Sequence, residues 1–249
     1  MTDLVLRSDT NGVATLTLNR PETLNALSPS LFVELRAHLD AIAADPETVG
    51  CVVLRGAGRS FSAGNDIKAI QSGDRAPSAT FQAETLDLIE ALPQPVIAQV
   101  HGHCYTGALE LVLACDLAVA GESARFADTH GRWGMTPTWG MSQRLPRRIG
   151  PLRAKQMMFT GQPLSGAEAA AIGLVNQCLP DAELDDAVQA LAAAIVTNSW
   201  HTLRADKRLV NEGQRYTLAE GLAFERRTSP GASPDMAERL AAFGARNSQ

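Results

Sequence analysis

A glutamate stands in the middle of an apolar run, ALELVLAC, that directly follows Gly107. The run contains helix formers and no glycine or proline. It predicts a helix that begins at Gly107 and whose first backbone N–H groups lack intrahelical partners. Such donors suit an oxyanion. A carboxylate at Glu110, one turn into this helix, is costly to bury unless it is paired, hydrogen-bonded or used in chemistry. The alternative is a capping carboxylate that interacts with the helix dipole.

A second loop that can point backbone N–H groups into a cleft follows the strand predicted at residues 51–56. Its sequence, GAGRSFSAGND, invites comparison with the dinucleotide-binding fingerprint. That comparison fails, because Phe61 stands where the last glycine should be and no strand with a terminal acidic residue follows. What remains is a glycine-rich turn that leads into a short helix. The turn contains Ala63, Gly64, Asn65 and Asp66.

Strands and helices alternate through the first half of the chain, and they must position these two loops. The segment Asp9 to Gly12 connects the two strands of a predicted β-hairpin. Ser28-Pro29 predicts the start of a helix that runs to about Asp45. Further strands are predicted at residues 51–56, 95–100 and 116–121. The predicted fold class is therefore α/β with largely parallel strands.

The chain changes character in its second half. Residues 124–150 are rich in glycine, proline and aromatic residues, which is typical of a loop that lines a cleft. Beyond Pro151 the sequence is mainly helical, with one short strand in LVNQCL. We expect a core of residues 1–195 and a C-terminal helical region of residues 196–249.

The composition limits the classes of function. The 249 residues are 45% hydrophobic and 20% charged, with a net charge of −5 and a pI near 5.6. Nucleic-acid binding needs clustered positive charge, and the basic segment RLPRRIG is too short for a duplex footprint. No apolar run is long enough to span a bilayer, and the N-terminus lacks the pattern of a signal peptide. We expect a soluble, cytoplasmic protein without nucleic-acid or membrane partners.

The cysteines and histidines do not form a metal-binding pattern. Four cysteines are scattered singly among apolar neighbours, which predicts buried free thiols rather than disulfides or zinc ligands. His101 and His103 form an HxH pair without other ligands nearby in the sequence. We expect them to be turn or pocket histidines, and we expect no bound metal.

Several motifs, in order, resemble those of one protein family. Two glycine-containing loops that each open a helix can supply converging N–H donors to a carbonyl oxygen on which charge develops. The chain resembles the enoyl-CoA hydratase/isomerase superfamily, also called the crotonase family, from about Leu4 to Arg246. The matching segments are NRPETLNAL, GxGxxFSAGNDIK, GxxE with the following CD, FADTHGRWGMTP, SQRLPRRIG and AxxxGLV.

The resemblance implies a fold, an assembly and a substrate class. The crotonase-like fold is a spiral of ββα repeats with a helical C-terminal trimerisation region, and the trimers often pair into hexamers. The substrate is an acyl-CoA thioester, with no metal or redox cofactor. We therefore expect a homotrimer, or a hexamer built as a dimer of trimers.

Carried over residue by residue, the resemblance places the two oxyanion-hole N–H groups on Asn65 and Gly107. It also implies CoA contacts in two segments and at the C-terminus, where relatives often present a lysine. These positions are Asn25, Ala26 and Leu27, then Ala63, Gly64, Asp66, Ile67 and Lys68, and finally Arg246.

The catalytic pair departs from the family pattern at one position. Family hydratases hold water and move a proton with two glutamates. The first corresponds to Glu110, and the second falls in a motif FGxPE that reads FADTH here, which puts His130 in its place. Imidazole has a reference pKa of about 6.5, against about 4.3 for glutamate, and can transfer protons near neutrality. Alternatively, His130 marks a different reaction, or it is a turn residue satisfied by backbone groups.

The resemblance therefore predicts a lyase that adds water to a trans-2-enoyl-CoA through an enolate. The alternatives are isomerisation, decarboxylation or thioester hydrolysis at the same oxyanion hole, or acyl-CoA binding without catalysis. Tyr105, Trp133 and Trp139 predict a bulky wall that favours short or compact acyl groups. Aromatic residues in an apolar loop also pack in cores, which is the alternative for these side chains.

Overall fold

The computed structural model describes residues 3–246 and contains two sheets in that range. The strands are β1 (Val5–Thr10), β2 (Val13–Leu18), β3 (Cys51–Gly56), β4 (Val96–Val100), β5 (His103–Tyr105), β6 (Leu117–Gly121), β7 (Arg125–Ala127), β8 (Leu164–Ser165) and β9 (Gln177–Leu179). The larger sheet has the order β1-β2-β3-β4-β6-β9, and the smaller one has the order β5-β7-β8. The predicted hairpin is the antiparallel β1–β2 pair, and the rest of the larger sheet is parallel.

Eleven α-helices lie between and after these strands in the described residues. They are α1 (Pro29–Ala44), α2 (Ile67–Gln71), α3 (Phe81–Ala91), α4 (Gly107–Leu113), α5 (Met141–Ile149), α6 (Pro151–Thr160), α7 (Gly166–Ala171), α8 (Asp181–Val196), α9 (Trp200–Gly213), α10 (Leu218–Thr228) and α11 (Met236–Arg246). The predicted cap of α1 is present, because the Ser28 hydroxyl accepts the Leu31 N–H at 3.1 Å. Such a cap contributes about 1 kcal/mol.

The central strands repeat one arrangement, in which a strand of the larger sheet is followed by a short extended segment and then by a helix. The strands β4 and β6 pair in parallel, and so do the short strands β5 and β7 that follow them. In the two earlier repeats the short segment is reduced to single bridges, Ser62 to Cys104 and Leu27 to Asn65, both parallel. Because neighbouring strands lie about 4.8 Å apart, residues that follow the short segments of successive repeats lie side by side.

The core lies on both faces of the larger sheet. One face carries the main core, which includes α1 and the wholly buried helix α4. The other face packs Val53, Ile97 and Val119 against Leu184 and Val188 of α8. Burial of an aliphatic side chain of this size stabilises the fold by about 1.5–3 kcal/mol. Many such side chains hold the sheet, and the loops attached to it, in one arrangement.

Residues 124–150 are more regular than the sequence predicted. They include β7, a 3-10 helix at His130–Trp133 and the helix α5. The sequence suggested a loop because glycine and proline are dense in this stretch. Pro146 is tolerated inside α5 because its missing N–H removes a single bond, to the Ser142 carbonyl, while Leu145 and Ile149 are buried.

The C-terminal helices are anchored to the sheet by a few contacts of α9. The Lys207 ammonium lies 2.8 Å from an Asp116 carboxylate oxygen and donates to the Gln94 carbonyl at 3.0 Å. The Trp200 ring packs against Gly12 and Gly50, where a Cβ would lie only 2.8 and 2.3 Å from it. Within residues 3–246, none of the helices combines the length and the apolar character needed to span a membrane.

Candidate active site

Two backbone N–H groups are free at the ends of neighbouring repeats. Leu27 donates its N–H to the Gly64 carbonyl at 2.8 Å and accepts the Asp66 N–H at 3.1 Å. Successive backbone groups of an extended segment point in opposite directions, so the Asn65 N–H faces away from Leu27. The Gly107 N–H opens α4 and has no intrahelical acceptor. Neither N–H has a hydrogen-bond acceptor among residues 3–246.

Gly64 brings these two donors together. Its φ of +94° lies in the left-handed region that favours glycine. A Cβ at this position would lie 2.4 Å from the Tyr105 carbonyl oxygen and 3.6 Å from the Gly107 nitrogen. The backbone of the glycine-rich loop therefore packs directly on the start of α4. Any larger residue at position 64 would push the two loops apart.

Thr106 ties the start of α4 to the segment after β7. Its φ of 53° is unusual for a β-branched residue, and several hydrogen bonds hold it there. The Thr106 N–H donates to the Ala127 carbonyl at 2.8 Å, and the Thr106 hydroxyl accepts the Thr129 N–H at 3.1 Å. The two threonine hydroxyls are 2.5 Å apart. The segment that carries His130 is thus fixed to the helix that carries Glu110.

The Glu110 carboxylate is 1% exposed, and its two oxygens have different surroundings. The Oε1 atom accepts the Trp139 N–H at 3.1 Å and the Met141 N–H at 3.0 Å. Glu110 therefore does cap a helix, but the helix is α5 rather than its own. The Oε2 atom lies 3.8 Å from the Nε2 atom of His130. This oxygen remains available for chemistry.

His130 stands between two carboxylates. Its Nδ1 atom lies 2.7 Å from the Oδ1 atom of Asp128, which also accepts the His130 backbone N–H at 3.1 Å. Because an ionised carboxylate only accepts hydrogen bonds, Nδ1 carries the proton of this bond and Nε2 faces Glu110. The ring nitrogens face carboxylates rather than backbone groups, unlike a histidine that merely completes a turn.

Burial and charge shift the pKa values of both groups. Burial raises the pKa of Glu110, although the Met141 N–H, His130 and the Trp139 N–H each act to lower it. Burial alone would lower the pKa of His130, but the hydrogen bond to Asp128 and the charges of Asp128 and Glu110 outweigh it, so the pKa is raised. The two groups interact closely, and they titrate as a pair. Both pKa values are raised, which moves that of Glu110 toward neutrality, the range in which proton transfer is most effective.

Trp139 is the aromatic residue that contacts this site. A Cβ on Gly107 would lie 2.5 Å from the Trp139 ring, and that ring meets Phe32 edge-on with centroids 5.1 Å apart. Trp133 is 66% exposed and does not belong to the wall that the sequence predicted. Tyr105 packs beside the His103 ring, with centroids 4.9 Å apart. The wall next to the Gly107 donor is therefore formed by Trp139.

The two segments predicted to bind CoA are joined by Arg20. Its guanidinium donates to the Ala26 carbonyl at 2.6 Å and to the Asp66 carboxylate at 2.7 Å. Burial alone would raise the pKa of Asp66, but the Ala69 N–H and Arg20 outweigh it and lower the pKa. Asn25 is fully buried, and its amide group donates to the Ala57 and Ser60 carbonyls. Asn25 therefore shapes the loop through its side chain.

The remaining predicted positions of these segments differ in exposure. Leu27 and Gly64 are buried, Ala26 and Ala63 are half-buried, and Ile67 and Lys68 are exposed. The Lys68 ammonium has no hydrogen-bond acceptor or carboxylate partner in the described part of the chain. Arg246 is the last residue of α11, and its side chain lies outside the described residues.

The family model for enoyl-CoA hydratase/isomerase matches residues 8–243. The chain belongs to the enoyl-CoA hydratase/isomerase family. A probable enoyl-CoA hydratase of Rhizobium meliloti is 39% identical over 240 residues, which cover 94% of this chain and 92% of the relative. A short-chain-enoyl-CoA hydratase of Clostridium acetobutylicum is 36% identical over 86% of this chain and 83% of its own.

A solved structure supports the same assignment. The enoyl-CoA hydratase of Bacillus anthracis has a TM-score of 0.92 at 33% identity, covering 98% of this chain and 96% of that chain. The predicted family and the crotonase-like α/β fold are thereby confirmed. The assignment of individual site residues stays a prediction that the geometry above supports.

Sequence reasoning about this family member missed three residues that hold the site. Asp128 was identifiable only from its place two residues before His130, since alternate residues near a strand end face the same side. Arg144 donates to the Trp139 carbonyl at 2.8 Å and forms ion pairs with Asp87 and Glu90 of α3. Arg20 lies in the NRPETLNAL motif, but its partners are distant in the sequence.

The other candidate groups lie outside this constellation. His101 contacts the Gly58 carbonyl through Nε2 at 2.9 Å. No group of three metal-ligating side chains occurs within residues 3–246.

All four cysteines are free. Burial raises the pKa of Cys51 and of Cys115 to about 12, so both stay protonated. Cys178 is half-buried rather than buried as predicted, because it lies in the edge strand β9.

Proposed function

We propose that this protein is a hydratase that adds water to the double bond of a trans-2-enoyl-CoA thioester. One observation carries the proposal: Glu110 Oε2 and His130 Nε2 face each other at 3.8 Å beside two unpaired backbone N–H groups. A distance of 3.8 Å is too long for a hydrogen bond and suits two groups that contact one small molecule between them. A proton donor and a proton acceptor are what addition of water requires.

The Asn65 and Gly107 N–H groups would bind the thioester oxygen. Negative charge develops on that oxygen when water attacks Cβ, because the electron pair of the double bond moves toward the carbonyl. Fixed donors that need no reorientation stabilise this charge more than the neutral substrate. Each such donor contributes about 10²- to 10³-fold in kcat.

The proton steps divide between Glu110 and His130. Glu110 Oε2 takes a proton from water as the water oxygen bonds to Cβ, and the enolate then takes a proton at Cα from His130 Nε2. The proton on Glu110 next returns to His130 across the short gap between them. The cycle closes with one water added and both groups in their starting states. The proposed reaction uses no metal or redox cofactor, and CoA is part of the substrate.

The proposal assigns the CoA contacts to Asn25, Ala26 and Leu27, to Ala63, Gly64, Asp66, Ile67 and Lys68, and to Arg246. The exposed, unpaired ammonium of Lys68 and the exposed Ile67 suit the phosphate and adenine portions of CoA. Arg20 would hold the two segments at a fixed separation. The acyl group is short or compact, since the Trp139 ring occupies the space beside Gly107.

The proposed assembly is a homotrimer, or a hexamer built as a dimer of trimers, with residues 196–249 as the trimerisation region. Support comes from apolar side chains in that region that are between 61% and 81% exposed, namely Leu218, Leu240 and Phe243. Light scattering after size exclusion should give three or six times the 26.5 kDa chain mass. A monomer at micromolar concentration would exclude this assembly. We place the protein in the cytoplasm.

The decisive assay follows the loss of the conjugated thioester absorbance of crotonyl-CoA and of longer trans-2-enoyl-CoAs. Mass spectrometry of the product separates the reactions of the family, since hydration adds one water, isomerisation leaves the mass unchanged and decarboxylation removes carbon dioxide. Binding of CoA thioesters without turnover at any chain length would contradict the proposal and indicate a binding protein instead.

A further inference from the structure

Asp128 is a buried carboxylate whose hydrogen bonds all go to one neighbour. Its side chain is 2% exposed, and among residues 3–246 it bonds only to His130, through the ring Nδ1 at 2.7 Å and the backbone N–H at 3.1 Å. Burying an ion costs several kcal/mol unless its partners compensate. Asp66 and Glu110, by contrast, bond to other elements of the fold. Asp128 joins no elements, so tertiary stability does not explain it.

The geometry of the Asp128 bond determines what the His130 ring can do. A carboxylate on Nδ1 prevents the ring from flipping and leaves Nε2 as the nitrogen that faces Glu110. A negative charge in contact with the ring also favours the doubly protonated imidazolium. A neutral acceptor in this place could still orient the ring, but it would not favour the charged form of the ring.

Among residues 3–246, two carboxylates pair with the His130 ring, those of Glu110 and Asp128. Glu110 faces it from α4, and Asp128 faces it from the segment after β7. The 3-10 helix that begins at His130 also packs against α6, whose charged residues Arg153 and Lys155 are exposed. Arg132 donates to the Gly161 carbonyl at 2.6 Å and is engaged there. Glu110 changes charge during the proposed reaction, so Asp128 is the partner of the ring that takes no part in the proton steps.

We propose that Asp128 is a positioning residue that acts through His130, so that an Asp–His pair replaces the second carboxylate of the active site. Asp128 holds the ring with Nδ1–H toward itself and Nε2–H toward the substrate Cα. It keeps its hydrogen bond to Nδ1 while His130 loses its proton to Cα and regains one from Glu110. This inference rests on the proposed hydratase function.

The test compares wild-type protein with Asp128→Asn by two readouts. Ring ¹⁵N chemical shifts of His130, assigned with His130→Gln among the five histidines, report its tautomer and titration without any substrate. We expect Asp128→Asn to lower the titration midpoint by at least about one pH unit, which is the usual effect of an adjacent opposite charge. The basic limb of the kcat profile should move down by the same amount, and KM should change by less than about threefold.

Two further variants keep the result interpretable. Asp128→Glu retains the charge with a displaced carboxylate, so it should keep the titration midpoint near that of wild type while kcat falls. Asp116→Asn removes a half-buried carboxylate bonded to Lys207 on another part of the fold. It should lower Tm and leave the His130 titration unchanged.

Each outcome decides a different claim. An unchanged midpoint and unchanged tautomer in Asp128→Asn would overturn the positioning role, even if the variant is less stable. Absence of hydratase turnover in the wild-type protein would defeat the proposed function, and the ¹⁵N titration would still decide whether Asp128 controls the ring. If Asp128→Asn fails to fold, a shift in the Asp128→Glu midpoint as large as that expected for Asn would contradict the inference.

Discussion

The two halves of the site are built from different materials. The half that would bind the thioester oxygen consists of backbone N–H groups of Asn65 and Gly107, and the packing of Gly64 sets their separation. The half that would move protons consists of the side chains of Glu110, His130 and Asp128. Because the first half consists of backbone groups, it depends on the fold and is compatible with many different side chains in the other half. The second half depends on individual residues, and it determines which reaction follows.

The halves also differ in how they are supported. The backbone half is held by parallel bridges between neighbouring repeats, so it moves only if the spiral moves. The side-chain half is joined to it by Thr106. This residue hydrogen-bonds to the carbonyl of Ala127, the last residue of β7, and to Thr129, just after that strand. Substitutions in the two halves should therefore give different patterns of loss in kcat, stability and pH dependence.

The largest expected effect is that of Glu110→Gln in the side-chain half. The amide oxygen can still accept the Trp139 and Met141 N–H groups, so the fold is kept, but the amide cannot take a proton from water. We expect kcat to fall by about 10³- to 10⁴-fold with little change in Tm, as measured with crotonyl-CoA and by calorimetry. Unchanged turnover would show that Glu110 has only its capping role.

Gly64→Ala tests the backbone half. The added Cβ would collide with the Tyr105 carbonyl and displace the Gly107 donor. The expected loss in kcat is about 10²- to 10³-fold, that of one oxyanion donor, together with lower Tm. Gly73→Ala is the matched control, because Gly73 has a φ of +101° but nothing within 4 Å of its Cβ position. Equal losses of kcat in both variants would show that backbone strain alone is responsible.

His130→Gln distinguishes the halves by pH. His130 must be protonated to donate to Cα, so wild-type activity should fall as pH rises through the raised pKa of His130. Glu110 must be ionised, so activity should also fall as pH decreases through the raised pKa of Glu110. We expect His130→Gln to lose about 10²-fold in kcat and to lose the basic limb. A retained basic limb would assign it to another group.

Trp139→Ala should have the smallest effect on the chemistry and the clearest effect on specificity. Removing the ring opens space beside Gly107, so kcat/KM should rise for longer enoyl-CoAs by about fourfold for each added methylene, equivalent to about 0.8 kcal/mol. Trp133→Ala is the control, since Trp133 is exposed. The same chain-length profile in wild type and Trp139→Ala would place the acyl group elsewhere.

The sequence predicted the elements whose signals are local. The Ser28 cap, the Asn11-Gly12 hairpin and the helix start at Gly107 are all present, because each depends on a few adjacent residues. The helix α5 was missed because glycine and proline near it favour a loop, whereas its buried face is what stabilises it. In α5, the burial of its apolar face outweighs the loop preference of nearby glycine and proline, and the sequence alone does not show which face is buried.

The site was predictable only in part, for the same reason. The resemblance to a family indicated Asn65, Gly107, Glu110 and His130, and the structure brings them into one place. It did not indicate Asp128, because a position two residues before His130 does not by itself separate a carboxylate that orients a histidine from one that faces solvent. The contact between Gly64 and the start of α4 was also hidden, because it depends on the register of bridges between distant segments.

The stacking of repeats makes the reaction type separable from substrate binding. Asn65, Gly107 and His130 each follow the short segment of a different repeat, and of the three only His130 would act through its side chain. The residue at position 130 can therefore be replaced separately from the two backbone donors. Redesign of this protein can therefore begin with the residues that follow β7, with the loops proposed to bind the thioester left as they are.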